Sequence, residues 1–386
     1  MLVGLECEYL LVDAGGPAPG RIRDFSNLSF AELQPVLERK PGRDDGRLAT
    51  GDLGIKSGYW YIEGDERFHE DGRFNTLAVK GVEIRTPPLA SVEAAIDHLL
   101  QTEIELGEVL GRQGLALGLA GFNPVRPAYD FDPPLNPWEQ ALRQQHRAYD
   151  GSRVSTLSYG PDVNLSFPEW SPARCLDVAR KLNAYAPWIV PFSFSSPFVA
   201  GRPWFGFSKR TWERSPLRPA VKLYRQDMET ATDSCLLYPA RLPGEDGRLE
   251  FKAFDAFLSR EILSACCHLL VGICLDETLP LRSETADVAL YRRGALNGFA
   301  DGEICLSSSL LLERAEAALS AAGDHLGVTA LEPLRQMLAQ KRTPARDLLR
   351  DWYRCGALYK AGGYASALRS SAHRAAIADT RLSYQA

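Results

Sequence analysis

No stretch of this chain reaches membrane-span length without a charge or a polar interruption, so a bilayer-spanning helix is not expected. No Lys/Arg run or basic aromatic stripe accompanies the formal net charge of −5, which argues against a nucleic-acid partner. The eight cysteines include no C-x-x-C, and none pairs with the six histidines at zinc spacing. Most are expected to be buried thiols; Cys266, Cys267 and Cys274 fall in the apolar run ILSACCHLLVGICL, where free cysteine packs as a small hydrophobe. Gly15/Gly16 and Gly362/Gly363 lack the Gly-Lys-Ser/Thr ending of a P-loop and read as turns. The histidines are isolated: His268 sits in a buried helix pattern, and His69 and His146 in polar segments offer no triad. The opening MLVGLECEYLLVD has no basic region and meets two glutamates at once, so a soluble, cytoplasmic protein is expected.

What is present is a repeated polar pair. Glu6/Glu8 in GLECEYLL, Glu83/Arg85 in GVEIRT, Asp162/Asn164 in PDVNLSF and Glu250/Lys252 in RLEFKAF each stand at i and i+2. In a strand such residues share a face, with Leu5/Cys7, Val82/Ile84, Val163/Leu165 and Leu249/Phe251 on the other. Cys7, although between two acids, is therefore turned away from them. One sheet satisfies all four stretches, with helices on its apolar side and an open side crowded by Glu6, Glu8, Glu83, Asp162 and Glu250. Mutual repulsion of such carboxylates calls for cations, which outlines a magnesium-dependent site handling phosphates. A merely solvated antiparallel sheet also alternates, but usually with Thr, Ser, Lys and Gln rather than repeated acids.

The irregular mixture of strands and helices indicates an α+β fold, and the 386 residues suit one large domain: a sheet-rich core over 1–258 and a mainly helical part over 259–386. A strand is expected at about 3 to 12, a meander from YWYIEGDERF to the Glu83 strand, and a helix after the N-cap Ser91. A short strand in LALGLAGFNP, a polar helix around 139 to 149 and a helix opened by Ser171 and Pro172 follow. The aromatic, Gly- and Pro-rich segment 193–219 reads as an active-site loop. Helices are expected at about 259–276, 309–322, 329–340, 344–355 and 365–378, with Thr343 and Pro344 as N-cap and N1 of the fourth.

Taken in order, these segments resemble the glutamate-cysteine ligase family and its carboxylate-amine ligase relatives, which share the glutamine-synthetase-like fold with its curved antiparallel sheet. GLECEYLL is similar to the family's G-x-E-x-E strand, GVEIRTPPLASV to its second acidic strand, DVNLSFPEW to its V-x-V-N-L strand and RLEFKAFDA to its L-E-x-R-x-x-D-A strand. NAYAPWIVPFSFSSPFVAGRPWFGFSKRTW resembles its N-S-P-F…G-x-P…S-x-R loop, and YRRGALNGFA and LEPLRQMLAQKRTPARDLL resemble its helices. The resemblance implies phosphorylation of a carboxylate, typically the γ-carboxylate of glutamate, by ATP to an acyl phosphate that a small amine such as cysteine attacks. Small molecules (glutamate, the amine and ATP with Mg²⁺) are the implied partners. Glu6, Glu8, Glu83, Asp162 and Glu250 are the implied metal ligands, since Mg²⁺ takes hard oxygen donors. Arg85, Arg210 and Lys252 are the cations expected on phosphate or substrate carboxylate, with Lys252 and Glu250 at the nucleotide and Asn164, Ser196 and Arg210 at the amino acid. Asp162 stands where relatives carry His or Gln, and Lys252 where they carry Arg. These departures keep open a γ-glutamyl transfer onto another amine, or a relative that binds nucleotide or metal without turnover.

Overall fold

The computed structural model describes residues 1–49, 56–145, 151–229 and 236–366. Cys235, His146, the end of the helix expected around 139 to 149 and the expected helix at 365–378 beyond residue 366 lie outside the described residues. The strands are β1 (Leu2–Asp13), β2 (Ile22–Arg23), β3 (Trp60–Phe68), β4 (Phe74–Arg85), β5 (Leu115–Leu119), β6 (Asp162–Ser166), β7 (Phe198–Val199), β8 (Arg202–Pro203), β9 (Val221–Arg225), β10 (Leu237–Pro239), β11 (Leu249–Phe251) and β12 (Lys360–Ala361). The helices are α1 (Gln34–Glu38), α2 (Val92–Gly111), α3 (Pro137–Gln145), α4 (Ser152–Ser155), α5 (Pro172–Ile189), α6 (Lys209–Arg214), α7 (Arg260–Leu275), α8 (Val288–Asn297), α9 (Gly302–Ala321), α10 (His325–Ala330), α11 (Glu332–Ala339) and α12 (Ala345–Cys355).

The main sheet runs β10-β9-β11-β6-β1-β4-β3, antiparallel except for the β9–β10 pair. β1 changes partners along its length: Leu2 to Glu6 pair with β6, Glu6 to Tyr9 with β4, and Leu10 to Asp13 with β5, Leu11 and Val12 also facing β2. That exchange curls the sheet.

Leu5, Cys7, Val82, Ile84, Val163, Leu165, Leu249 and Phe251 are all buried on the inner side, as the alternation requires. There α2 packs on β1, β4 and β5, α5 packs on β9 and β11, and α7 and α9 form the next layer. Each buried Leu or Val contributes about 1.5–3 kcal/mol. A one-residue slip of any of these strands would turn its apolar residues out and its acids in, so the same burial that holds the sheet fixes where the acids point.

Capping sets most helix starts. Ser91, Ser171 and Ser259 each accept a backbone N–H three residues on, with Pro172 at the first turn of α5. The cap expected from Thr343 is not made: Pro344 occupies the N-cap position of α12, and the Thr343 hydroxyl is buried without a hydrogen-bond partner. The segment expected as one long loop after 193 is a short hairpin, β7–β8, leading into α6. Cys7, Cys175, Cys266, Cys267 and Cys274 are buried free thiols, whereas Cys355 is exposed. His268 is buried in α7 and hydrogen-bonded to Glu93 at the start of α2. No helix among the described residues is long and apolar enough to cross a membrane.

Candidate active site

Residues opposite one another on antiparallel neighbours share a face. Glu6 lies opposite Arg85 on one side and Asp162 on the other. Glu8 lies opposite Glu83, which faces Tyr61; Asn164 lies opposite Glu250, which faces Lys222. Glu6, Glu8, Glu83, Asp162 and Glu250 therefore occupy one face, opposite the one that packs on α2 and α5. Glu63, two residues beyond Tyr61 on β3, joins them. A bulge opposite Glu63 and Gly64 inserts one extra residue, Lys80, into β4. Gly81 beside it cannot be larger, because a Cβ there would lie 2.1 Å from the Tyr9 carbonyl oxygen.

The face carries cations of its own. Lys80 Nζ donates to Glu8 Oε1 at 2.6 Å, and Lys56 lies 3.3 Å from Glu63. Lys252 donates to both Asp162 and Glu250. Arg248 donates to Glu250 at 3.0 Å and to Asn164, while its guanidinium lies 3.8 Å over the Tyr224 ring. Burial would raise the Glu250 carboxyl, but Lys252, Lys222 and Arg248 outweigh it and hold it well below the usual range. Burial, opposed by Lys252 and reinforced by Glu250 and Glu6, pushes Asp162 up to about 7. Glu83 is raised by burial and then by Glu63, Glu6 and Glu8. Among the described residues no lysine or arginine ion-pairs with Glu83.

One carboxylate oxygen each from Glu8, Glu63 and Glu83 lie within 4.8 Å of one another. An all-oxygen set of three acids, one of them crowded by like charge, fits a hard divalent cation such as Mg²⁺. Glu63 was missed by the sequence argument, although the alternation of WYIEGDERF carries it onto this face.

With this geometry in hand, comparison with known proteins is informative. Residues 2–216 match the sequence profile of glutamate-cysteine ligase family 2. The chain belongs to that family. Over 136 residues it is 27% identical to the glutamate–cysteine ligase EgtA of two Mycobacterium tuberculosis strains, covering 34% of this chain and 31% of that protein. The solved structure of a bifunctional glutathione synthetase from Pasteurella multocida aligns with a TM-score of 0.55 and 14% identity, covering 92% of this chain and 51% of that one. The chain thus spans about a third of the length of those curated relatives and about half that of the structure. The structural likeness shows the fold, an α+β architecture on a curled, largely antiparallel sheet.

Five positions singled out from the motifs, Ser196, Arg85, Asp162, Glu250 and Glu6, are placed differently from the expectation. Ser196 does not reach the acidic face: it is buried and donates to Asp255 at 2.6 Å. Arg85 stands on the face by register, yet its guanidinium donates to the backbone carbonyls of Ala49, Lys56 and Gly58 and so holds a loop rather than an open anion position. Asp162 and Glu250 gather round Lys252, and Glu6 accepts from the Asn164 amide at 3.0 Å, so the close acid group in this family member is Glu8, Glu63 and Glu83.

Arg210 is buried, and its guanidinium donates to the carbonyls of Lys252 and Ala253 at 3.0 Å. It lines a pocket of about 450 Å³, open mouth included, at the Glu8 end of the face, together with Lys80, Lys252, Arg214 and Arg218. Neither Arg214 nor Arg218 has an acidic partner among the described residues. Burial, with repulsion from Arg210 and Arg218, lowers Arg214 to about 9. No spacing signal in the sequence singled out these two arginines, nor Lys80, which reaches Glu8 only because of the bulge.

Proposed function

We propose that the acidic face and its arginine-lined pocket are the active site of an ATP- and Mg²⁺-dependent ligase that joins a carboxylate, the γ-carboxylate of glutamate, to a small amine such as cysteine. The observation that carries this reading is the juxtaposition of the Glu8, Glu63 and Glu83 oxygens with a pocket lined by three guanidinium groups, those of Arg210, Arg214 and Arg218, that make no ion pair among the described residues. In the reaction a carboxylate oxygen takes the terminal phosphoryl group of ATP, releasing ADP. The amine then attacks the acyl carbon, phosphate leaves, the amine loses a proton and the amide remains. Mg²⁺ would be held by Glu8, Glu63 and Glu83 and would supply charge neutralisation to the phosphates.

The chain's own groups do the positioning. Arg218 offers a planar donor fork to a carboxylate or phosphate entering the pocket, beside the positive charges of Arg210 and Arg214, whose guanidinium groups are held by the carbonyls of Lys252, Ala253 and Pro219. Lys252, fixed between Asp162 and Glu250, offers a compact positive charge beside it. Phosphoryl transfer is mostly placement and electrostatics, which is what rigid strand-borne charges deliver.

Transfer onto an amine other than cysteine is favoured by one observation: the two departures from the family pattern, Asp162 and Lys252, are bonded to each other, so the site differs from its relatives in a concerted way. The test is ADP release from ATP and Mg²⁺ with glutamate across a panel of amines including cysteine. Release that needs glutamate and one amine supports the ligase and names the acceptor. ATP and Mg²⁺ binding with no release under any combination would leave a non-catalytic relative.

A further inference from the structure

Asp255, four residues after the end of β11, is fully buried and touches none of the face's carboxylates in the hydrogen-bond network. Its carboxylate accepts three donors: the Ser195 amide at 2.9 Å, the Ser196 hydroxyl at 2.6 Å and the Ser208 hydroxyl at 2.8 Å. The two hydroxyls come from the two sides of the β7–β8 hairpin, where Ser196 and Ser208 also bridge. Each hydroxyl oxygen in turn accepts a first-turn amide of α6: Arg210 N on Ser196 at 3.2 Å and Thr211 N on Ser208 at 2.9 Å.

A serine hydroxyl has one proton. Because Asp255 takes it from both serines, both oxygens are left facing α6 as acceptors. The Asp255 charge thus fixes the orientation of two caps at once. α6 has six residues, too few to hold its own direction without such anchoring. Its Arg210 side chain then returns to the carbonyls of Lys252 and Ala253, on the same segment that ends in Asp255. The circuit is closed: Asp255 to the two serines, to the start of α6, to the Arg210 guanidinium, and back to the backbone that carries Lys252. Space for it is tight, since a Cβ on Gly121 would lie 2.6 Å from the Asp255 carboxyl.

We propose that Asp255 is the positioning residue of the pocket, setting the Arg210 guanidinium and the Lys252 backbone in register through Ser196 and Ser208 while touching neither substrate nor metal. Its effect on rate rests on the ligase reading; its effect on Arg210 does not. In Asp255→Asn the amide presents one donor edge to groups that need an acceptor, so one cap hydroxyl must turn and α6 loses its fixed start.

The experiment compares the full chain with Asp255→Asn, Ser208→Ala and, as a stability control in the helical layer, Leu334→Ala, which is buried in α11. The Arg210 Nε–H group is buried without a hydrogen-bond partner of its own. Its NMR resonance, assigned by its loss in Arg210→Lys, reports where the guanidinium sits. The expected result is a shifted or exchange-broadened Arg210 resonance in Asp255→Asn and in Ser208→Ala but not in Leu334→Ala. A fall in kcat of about tenfold or more should accompany it, as misplacement by a fraction of an ångström produces, exceeding any change in the control at equal loss of Tm. An unmoved resonance in the two site variants, or a kcat loss no greater than that of the control, overturns the proposal. If Asp255→Asn does not fold, Ser208→Ala carries the test. Absence of turnover in the unaltered protein retires the ligase reading alone, and the resonance then decides for or against Asp255.

Discussion

Lys252, just past the end of β11, reaches across to donate to Asp162 at the start of β6, so the two residues read from the sequence as departures from the resembled motifs are partners. Glu250 receives the same ammonium and is the acid held fully ionised. Removing the ammonium leaves two buried acids uncompensated, so Lys252→Ala is expected to cost about 1–3 kcal/mol of stability, below the range for fully buried pairs because Lys252 keeps some contact with water. Asp162→Asn keeps an acceptor, removes a charge that burial disfavours and leaves Lys252 on Glu250, so it is expected to cost less than Lys252→Ala. Lys252→Ala is also expected to lower kcat more than it raises the KM of the amine. In a double-mutant cycle the two changes should cost less together than their sum. Strict additivity in urea titrations would show that the pair is a coincidence of packing.

Asp162 also predicts a pH dependence. Its carboxyl is pushed up to about 7, above the unfolded value, so the folded chain binds this proton more tightly than the unfolded chain. The stability it contributes is fully present below the ordinary carboxylate value of about 4 and is lost as the pH rises through the folded value. Melting curves in EDTA should therefore show a decline across that window that is shallower in Asp162→Asn. Identical slopes for the two proteins would remove Asp162 as its source.

Glu83 has no ion-pairing cation among the described residues and is raised by burial and by its acidic neighbours. Glu83→Gln is expected to raise Tm in EDTA by relieving that crowding, while abolishing both the stabilisation given by added Mg²⁺ and turnover. Lys80→Ala should do the reverse in EDTA, costing about 1–3 kcal/mol by stripping Glu8 of its partner. Added Mg²⁺ should restore part of that loss. Scanning calorimetry with and without Mg²⁺ checks both, and a Mg²⁺ response unchanged in Glu83→Gln would place the ion elsewhere.

Arg218→Gln changes a half-buried residue and should leave the unfolding free energy within about 0.5 kcal/mol of the parent, as peripheral substitutions do. It should nevertheless weaken binding of the anionic substrate about tenfold, the equivalent of one charge-assisted contact of roughly 1.4 kcal/mol. Isothermal calorimetry with glutamate and, separately, with ATP tells which anion the pocket receives. No change with either ligand would make the arginine cluster a bystander.

The acidic face was legible in the sequence because strand alternation is a local signal: Leu5/Cys7 and Leu249/Phe251 had to be buried, so Glu6, Glu8 and Glu250 had to point the other way. Family membership and the α+β fold were legible for a related reason, since the motifs lie on those same strands. What was not legible depends on long-range or irregular geometry. Lys80 reaches Glu8 only because a bulge inserts it, and no alternation pattern predicts a bulge. Ser196 and Arg85 sit in motif positions, but their side chains are claimed by Asp255 and by loop carbonyls far away in sequence. Arg214 ends, and Arg218 follows, a helix too short to show a period.

The way β1 is held has a consequence for how activity is lost. Glu6 sits where the β6 and β4 ladders overlap and Glu8 lies inside the β4 ladder, so β1 releases these acids only when the sheet itself opens, and they share the fate of the global fold. α6 lies outside the sheet, its start held by side-chain bonds around Asp255 and its flank by α8, so it can come adrift before the sheet opens. Under gentle heating the protein should therefore go blind to its anionic substrate while its β-sheet signal is still intact, failing from the pocket inward.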